Sequence, residues 1–492
     1  MKMKKTILIL IITSSLLGSC DDKLLELAPV SDINAENFYS NQEDMVNAVN
    51  AAYAGLRLTG LFNQGLYYLS EMRSDNTFAS WVPGNSFDTE SIYYFTVIPS
   101  NGFVNSVWND SYAAILRCNV VLDRIDVVEM DQTFKEQLKG EVRFLRALEY
   151  FYLVQLFGDV PLVVKELSVQ EAYELGRTPA QEVYNQIIED LKFAEGVLPP
   201  SYADSDIGRV TSGAAKGILA KVYLTLKNYA EAKIKLEEVI DSERYQLLPD
   251  YAQLWDLKHE NSSESLFEVQ YKKGGTGTGS PFANAFAPRG SGQVVVPVGG
   301  TGSVNSPTVD MANAYETEDL RKNISMESGF VNEDGEFFPY MYPKKYLDVP
   351  FIGGDADNNW PVLRYADVLL MYAEVLNELG FEADGKAFDL LNEIRERAGL
   401  VAKTSANADA ALRIANQQEF RLAMEQERRV ELAFENHRWF DLLRTGRALE
   451  VMNSKREILN IPIEVPEFQL LFPIPLQVID NNPSVIQQNP GY

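Results

Sequence analysis

The chain has 492 residues, 46% of them hydrophobic, enough for one large domain or two to three ordinary ones. With 44 basic against 70 acidic side chains the formal charge is −26, and no basic stripe stands out, which excludes nucleic acid as a partner and assigns the acidic surface to solubility. Two histidines, His259 and His437, are too few and too isolated for a zinc site of three or four ligands.

At the N-terminus, Lys2, Lys4 and Lys5 precede an apolar run over residues 7–17 that is too short to span a bilayer by itself. It ends in "LLGSC". Leu17-Gly18-Ser19-Cys20 resembles the bacterial lipobox, in which a peptidase cuts after small residues and the cysteine carries a diacylglycerol. Residues 1–19 are therefore expected to be a lipoprotein signal peptide and Cys20 the lipidated residue. Residues 20–36 would form a tether without strong periodicity. An ordinary signal peptide with a chance cysteine is the competing reading. Cys118 lies in an apolar helical pattern and is expected to be a buried thiol.

The first helix of the body is expected to start at a Ser40 or Asn41 cap, with Met45, Val46, Val49, Ala52, Tyr53 and Leu56 on one face. Residues 74–105 carry Gly, Pro, Ser and Asn and read as a long loop region. Helical patterns cover 107–157 and 179–241. Within 214–240, Ala215 and Ala220 allow two helices to approach, Tyr223 and Leu224 fill between them, Asn228 marks the turn and Ala232 opens the second contact. That is tetratricopeptide-repeat logic, and "LLMYAEVLNELG" (369–380) with the following "AFDLLNEIRERAG" repeats it. Residues 273–309 are rich in Gly, Ser, Thr and Pro and read as a large ordered insertion. They lack the Gly-Lys-Ser/Thr ending of a phosphate loop and the strand–helix frame of a dinucleotide site.

"EQERRVELAFENHRWFDLLRTGR", residues 425–447, is the most charged stretch. Glycosidases need two carboxylates facing each other across a bond. Glu427, Glu431 and Glu435 fall at i, i+4 and i+8, which points them to one side of one helix. Nearby arginines keep carboxylates ionised rather than proton-bearing. Asn436 would cap a second helix carrying Arg438, Trp439, Asp441 and Arg444. The expectation is a charge-paired helical hairpin, with Glu427, Arg428, Glu431, Glu435, Arg438, Asp441 and Arg444 as a structural ion-pair motif and no catalytic residue. His437 would be satisfied and partly buried. No Gly-x-Ser-x-Gly elbow supports a serine hydrolase. Asp355, Asp357 and Asn358 could hold calcium, but the downstream bidentate Glu is missing, so a solvated acidic turn is expected, with no metal and no cofactor.

Sugar binding asks for aromatic platforms beside polar readers, on loops. "EMRSDNTFASWVPGNSF" (71–87) offers Asp75, Asn76 and Trp81, and the insertion offers Phe282, Phe286 and Arg289 among glycines. The competing readings are that Trp81 plugs its loop against the body and that the insertion packs on itself. Tyr340 and Tyr342 are weaker candidates. Trp108, Trp360 and Trp439 are expected in the core.

Five segments then fall into one pattern: "NFYSNQEDMVNAVNAAY" (37–53), "EVRFLRALEYFYLVQLFGDVPLV" (141–163), "NNWPVLRYADVLLMYAEVLNELG" (358–380), "ERRVELAFENHRWFDLLRTGR" (427–447) and "LFPIPLQVIDNNPSVIQQNPGY" (471–492). Together they resemble the SusD/RagB family of outer-membrane nutrient-uptake lipoproteins. The resemblance implies an all-α fold of about four tetratricopeptide-like helix pairs with a loop-rich variable part that binds ligand. It implies a single domain over 37–492 with loop-rich insertions near 74–105 and 273–360. It also implies a non-catalytic lipoprotein on the cell surface that holds oligosaccharides, or in some branches peptides, and closes over a SusC-like TonB-dependent transporter. Asp21 and Asp22, just after Cys20, resemble the signal that sends such lipoproteins to the outer face of the outer membrane. The family places ligand-contacting aromatics in the region of 71–87. Peptide capture, an envelope glycoside hydrolase and a repeat scaffold without a small ligand remain the alternatives.

Overall fold

The computed structural model describes residues 39–78 and 86–492. Helix α1 (Gln42–Gly55) starts at Asn41, whose side chain accepts the Asp44 N–H at 3.1 Å, and it buries Met45, Val49 and Ala52. An Asn, Asp or Thr side chain in the same role starts five of the longer helices that follow, Asn416 ahead of Gln417–Glu431 among them. Asn101 caps α2 (Gly102–Arg124), Asp131 caps α3 (Gln132–Phe157), and Thr211 caps α5 (Ser212–Thr225). Between them lies α4 (Ala180–Val197), and Asn228 caps α6 (Tyr229–Ile240). Beyond the insertion come α7 (Tyr365–Leu379), α8 (Lys386–Arg397), α9 (Gln417–Glu431) and α10 (Arg438–Arg444).

Helix α1 packs on α2, α3 on α4, α5 on α6 and α7 on α8, and each pair also touches the next. Each helix thus buries its apolar stripe against neighbours in chain order, as in a tetratricopeptide-like array. Close approach depends on small residues. A Cβ on Gly217 of α5 would lie 2.4 Å from Leu363 Cδ2, and one on Gly140 of α3 would lie 2.6 Å from Val197 Cγ2. Cys118 is buried in α2, and Trp108, Trp360 and Trp439 are buried too.

Strands are short and pair in antiparallel twos. β1 (Thr77–Phe78) pairs with β3 (Ser306–Pro307), and β2 (Ser265–Val269) with β8 (Trp360–Arg364). β4 (Met326–Glu327) pairs with β7 (Tyr342–Pro343), and β5 (Phe330–Val331) with β6 (Phe337–Phe338).

Two expectations change. Residues 74–105 are not loop throughout, because a helix spans Ser86–Tyr93 and α2 begins at Gly102. The short helix has no apolar periodicity to betray it; tertiary contacts fix its end, where the Tyr93 hydroxyl donates to the Leu459 carbonyl at 2.6 Å. The insertion is ordered both by Asp355 from outside it and by its own Asn284. The Asp355 carboxylate accepts from the N–H groups of Gly274 and Gly275, and the Asn284 amide donates to the carbonyls of Val298 and Gly300. Asp355 and Asn358 are therefore buried rather than solvated, and Asp357 pairs with Lys272 and Lys273. Among the described residues, no group of three His, Cys, Asp or Glu side chains could hold a metal ion.

Candidate ligand-binding face and the ion network behind it

The charged stretch folds differently from one continuous helical row. Helix α9 ends at Glu431, and Phe434 and Asn436 take left-handed backbone with φ of 67° and 68°. That turn swings Glu435 off the helix axis. Asn436 does not cap α10; its backbone N–H donates to Glu71 Oε2 at 2.9 Å while its side-chain atoms have no partner among the described residues.

The carboxylates are paired mostly with cations from elsewhere in the chain. Glu427 meets Arg321 at 2.7 Å and Arg395 at 3.2 Å. Glu431 meets Arg321, Arg364 and Arg397 at 3.0, 3.1 and 2.5 Å. Glu435 meets Lys345 at 2.6 Å and Arg364 at 2.7 Å. Arg428 bridges Asp367 and Asp441 at 2.7 and 2.9 Å, and Arg444 holds Asp441 and Glu374. Burial pushes the Glu431 carboxyl up, but Arg397, Arg364 and Arg321 outweigh it and hold it at about 2. Burial lowers His437 to about 3, and the neighbouring Lys221 adds to this. The neutral ring accepts from Lys221 Nζ through Nδ1 at 2.8 Å.

Residues 71–78 plug into this network. Arg438 grips the Asp75 carboxylate with bonds of 2.7 and 3.0 Å, Lys455 reaches it at 2.7 Å, and Arg429 at 3.2 Å. Asn76 accepts from Arg429 Nε and donates to Glu71. The insertion closes the other side. Thr308 donates its N–H to the Asn76 carbonyl and its hydroxyl to the Asp75 carbonyl, each at 2.8 Å. Asp75 and Asn76 have no exposed surface. The expectation that they contact ligand is corrected: their polar atoms are spent on guanidinium and amide partners.

Phe282 and Phe286 are corrected in the same way. They are 0% and 1% exposed and fill a ring cluster, with Phe282 4.9 Å from Trp360 and Phe286 5.2 Å from Tyr67. Apolar rings on a glycine-rich chain found the core rather than a ligand. Arg289 stands exposed, with its backbone N–H on the Ser303 hydroxyl. Trp81, Cys20 and the expected signal peptide and tether lie outside the described residues. Tyr342 is buried and Tyr340 half-buried.

The pairing of β1 with β3, the packing of β3 on β7 and the pairing of β7 with β4 carry the chain from Phe78 to the β5–β6 hairpin. On that hairpin Phe330 stacks on Phe338 at 5.5 Å, while Phe337 and Phe338 are 58% and 44% exposed. Exposed rings on a two-stranded hairpin are what sugar stacking requires. Sequence reading passed over these two residues. The signal was the Asp334-Gly335 turn flanked by Val331 and Phe337, a hairpin mark.

Among the described residues, several buried carboxyls are held above the usual carboxylate range. Burial raises Glu71 to about 7, Glu149 to about 8 and Glu260 to about 7. Glu71 is tied to Asn76, Phe434 and Asn436, and Glu149 sits inside α3. Glu260 lines a cavity with Glu268, but its volume of about 30 Å³ suits a water rather than a sugar ring.

A profile described as "SusD family" matches residues 335–492, and one described as "Starch-binding associating with outer membrane" matches residues 24–224. The "SusD-like protein P2" of Formosa agariphila is 28% identical, with all of both chains aligned. A solved "Laminarin binding SusD-like protein" is 27% identical with a TM-score of 0.79, covering 92% of this chain and 100% of its own. A SusD superfamily protein of Parabacteroides distasonis is 28% identical with a TM-score of 0.79, covering 94% and 100%. The two profiles flank the glycine-rich insertion, and the solved relatives share the helical array. The chain belongs to the SusD-like family.

Proposed function

We propose that this protein is a non-catalytic, lipid-anchored surface protein that captures an oligosaccharide and delivers it to a SusC-like TonB-dependent transporter in the outer membrane. The observation that carries the reading is the contrast in exposure. The carboxylates of the 425–447 stretch are locked in ion pairs, whereas Phe337 and Phe338 stand exposed on a hairpin joined through β7 and β3 to the strand that precedes Trp81. The laminarin-binding relative and the starch-binding profile support a saccharide as the ligand class. Trp81 and Arg289 are the remaining sequence candidates for this face. Residues 1–19 would be removed as a signal peptide, and Cys20 would carry the lipid at the start of the 20–36 tether.

Stacked rings with a polar rim give modest affinity, of order micromolar to millimolar. Each ring contributes roughly 1 kcal/mol beyond its area, about a fivefold change in affinity. Titration of a laminarin oligosaccharide and a starch oligosaccharide into the protein tests the reading, with Trp81→Ala and Phe337→Ala as variants. Binding that weakens in both variants, with no hydrolysis products after long incubation, supports it. Cleavage of either glycan overturns the non-catalytic part. A Cys20→Ala protein that still sediments with membranes overturns the lipid anchor.

A further inference from the structure

Glu71 is buried in a short turn, Glu71–Arg73, just ahead of β1. Its neighbours Asp75 and Glu435 are held by Lys and Arg side chains, whereas Glu71 is held by three N–H groups. Its Oε1 accepts from the Asn76 side-chain amide at 2.8 Å and from the Phe434 N–H at 3.1 Å, and its Oε2 accepts from the Asn436 N–H at 2.9 Å. Phe434 and Asn436 are the two left-handed residues of the 434–436 turn. Left-handed backbone is unfavourable for a side chain such as Phe. It also aims nearby N–H groups into a common concavity that suits a carboxylate. Glu71 fills that concavity.

Two paths run from Glu71 to the β5–β6 hairpin. The first passes through Asn76. Its carbonyl accepts the Thr308 N–H at 2.8 Å, and the next two residues are β1, which pairs with β3; β3 in turn packs on β7. The second passes through the 434–436 turn. Lys345 and Tyr346 follow β7 closely in the chain. Lys345 Nζ reaches Glu435 at 2.6 Å, and the Tyr346 hydroxyl donates to the Phe434 carbonyl at 3.0 Å. Both paths end on β7, and β7 pairs with β4, so they fix the two strands between which the chain carrying Phe337 and Phe338 is held. A residue on one path would be one packing contact among many. Glu71 stands where the two meet.

We propose that Glu71 is a positioning residue for the aromatic hairpin: by tying Asn76 to the 434–436 turn it fixes β1 and the Lys345–Tyr346 anchor together, and so holds Phe337 and Phe338 ready for ligand. Its contribution to binding rests on the saccharide reading, whereas its hold on the hairpin does not.

The test is amide hydrogen exchange over residues 325–345 of the full-length mature protein, with titration of laminarin and starch oligosaccharides in parallel. Both are run at pH 8, where the Glu71 carboxyl, raised by burial to about 7, is ionised. Glu71→Gln keeps the shape but turns an NH2 group towards one of the three donors. It is expected to speed exchange over 325–345 at least about fivefold and to lower saccharide affinity at least about threefold. Tyr346→Phe opens the second path alone and is expected to speed exchange by a smaller factor; it carries the test if Glu71→Gln does not fold. Gly140→Ala, whose Cβ would press on Val197 away from both paths, is the destabilised control and is expected to change neither readout. Exchange that Glu71→Gln and Tyr346→Phe leave at the wild-type rate, or that Gly140→Ala speeds as much, would overturn the proposal. Faster exchange with undiminished saccharide affinity would overturn it too. A wild type that binds no saccharide overturns the saccharide reading, and the exchange rates then decide the hold on the hairpin by themselves.

Discussion

The 425–447 stretch and the β5–β6 hairpin carry their side chains in opposite ways. The first has the densest charge in the chain, and nearly all of it is buried and paired; Glu431 alone touches three guanidinium groups. The second is a few residues long, weakly patterned and uncharged at its rings, yet it presents Phe337 and Phe338 to solvent. Chemical density in a sequence therefore marks where long-range packing is specified. The proposed binding face sits where rings remain exposed to solvent. A complete buried ion network contributes specificity more than net stability, but removing one member strands the others.

The largest expected effect tests the structural half. Glu431→Ala leaves Arg321, Arg364 and Arg397 short of a counter-charge and is expected to cost about 3–5 kcal/mol in urea unfolding. A loss below about 1 kcal/mol would show that the network does not clasp these helices together.

The pH dependence comes next. Glu431, Glu435 and Asp75 have depressed folded values, because surrounding cations outweigh the effect of burial. The unfolded chain binds more protons there, so their contribution is present above the unfolded carboxylate range. It is lost as pH falls from about 5 towards 2. Glu149, at about 8, and Glu71, at about 7, have the opposite sign. The folded state holds their protons, so stability falls as pH rises from about 5 through 7–8. Stability is thus expected to peak near pH 5. Glu149→Gln should flatten the alkaline limb and leave the acid limb unchanged in chemical-unfolding curves across pH.

How much of this was legible depends on the distance over which each contact acts. The Asn41 cap, the buried Cys118 and the 214–240 hairpin are local patterns, and they were readable. The pairing of the charged stretch was legible in kind but not in partners, because Arg321, Arg364, Arg395 and Lys345 come from other segments. Asp75 and Asn76 looked like loop readers because their surroundings are polar. Their burial comes from Arg438, 363 residues from Asp75, and from Arg429. Phe282 and Phe286 looked exposed among glycines, yet their rings meet Trp360 and Tyr67 from far along the chain. The left-handed turn at Phe434 and Asn436 gave a weak sequence signal, since Asn tolerates that backbone but Phe rarely adopts it. Two-residue strands such as β5 and β6 are too short to show a period, which hid the exposed rings.

The smaller effects sharpen the functional half. Phe337→Ala alone is expected to weaken oligosaccharide binding about fivefold and to leave unfolding unchanged, because an exposed ring contributes little to the core. Arg289→Ala, at the exposed edge of the insertion, is expected to change affinity less than threefold. If Arg289→Ala outweighs Phe337→Ala in the same titration, the binding face lies on the insertion rather than on the hairpin.

The most direct measurement is titration of laminarin and starch oligosaccharides into the wild-type protein and the Phe337→Ala/Phe338→Ala double variant, with unfolding followed in parallel. The account predicts saccharide binding by the wild type, at least a tenfold loss in the double variant and the same unfolding midpoint in both. Undiminished affinity in the double variant, at equal stability, would contradict it.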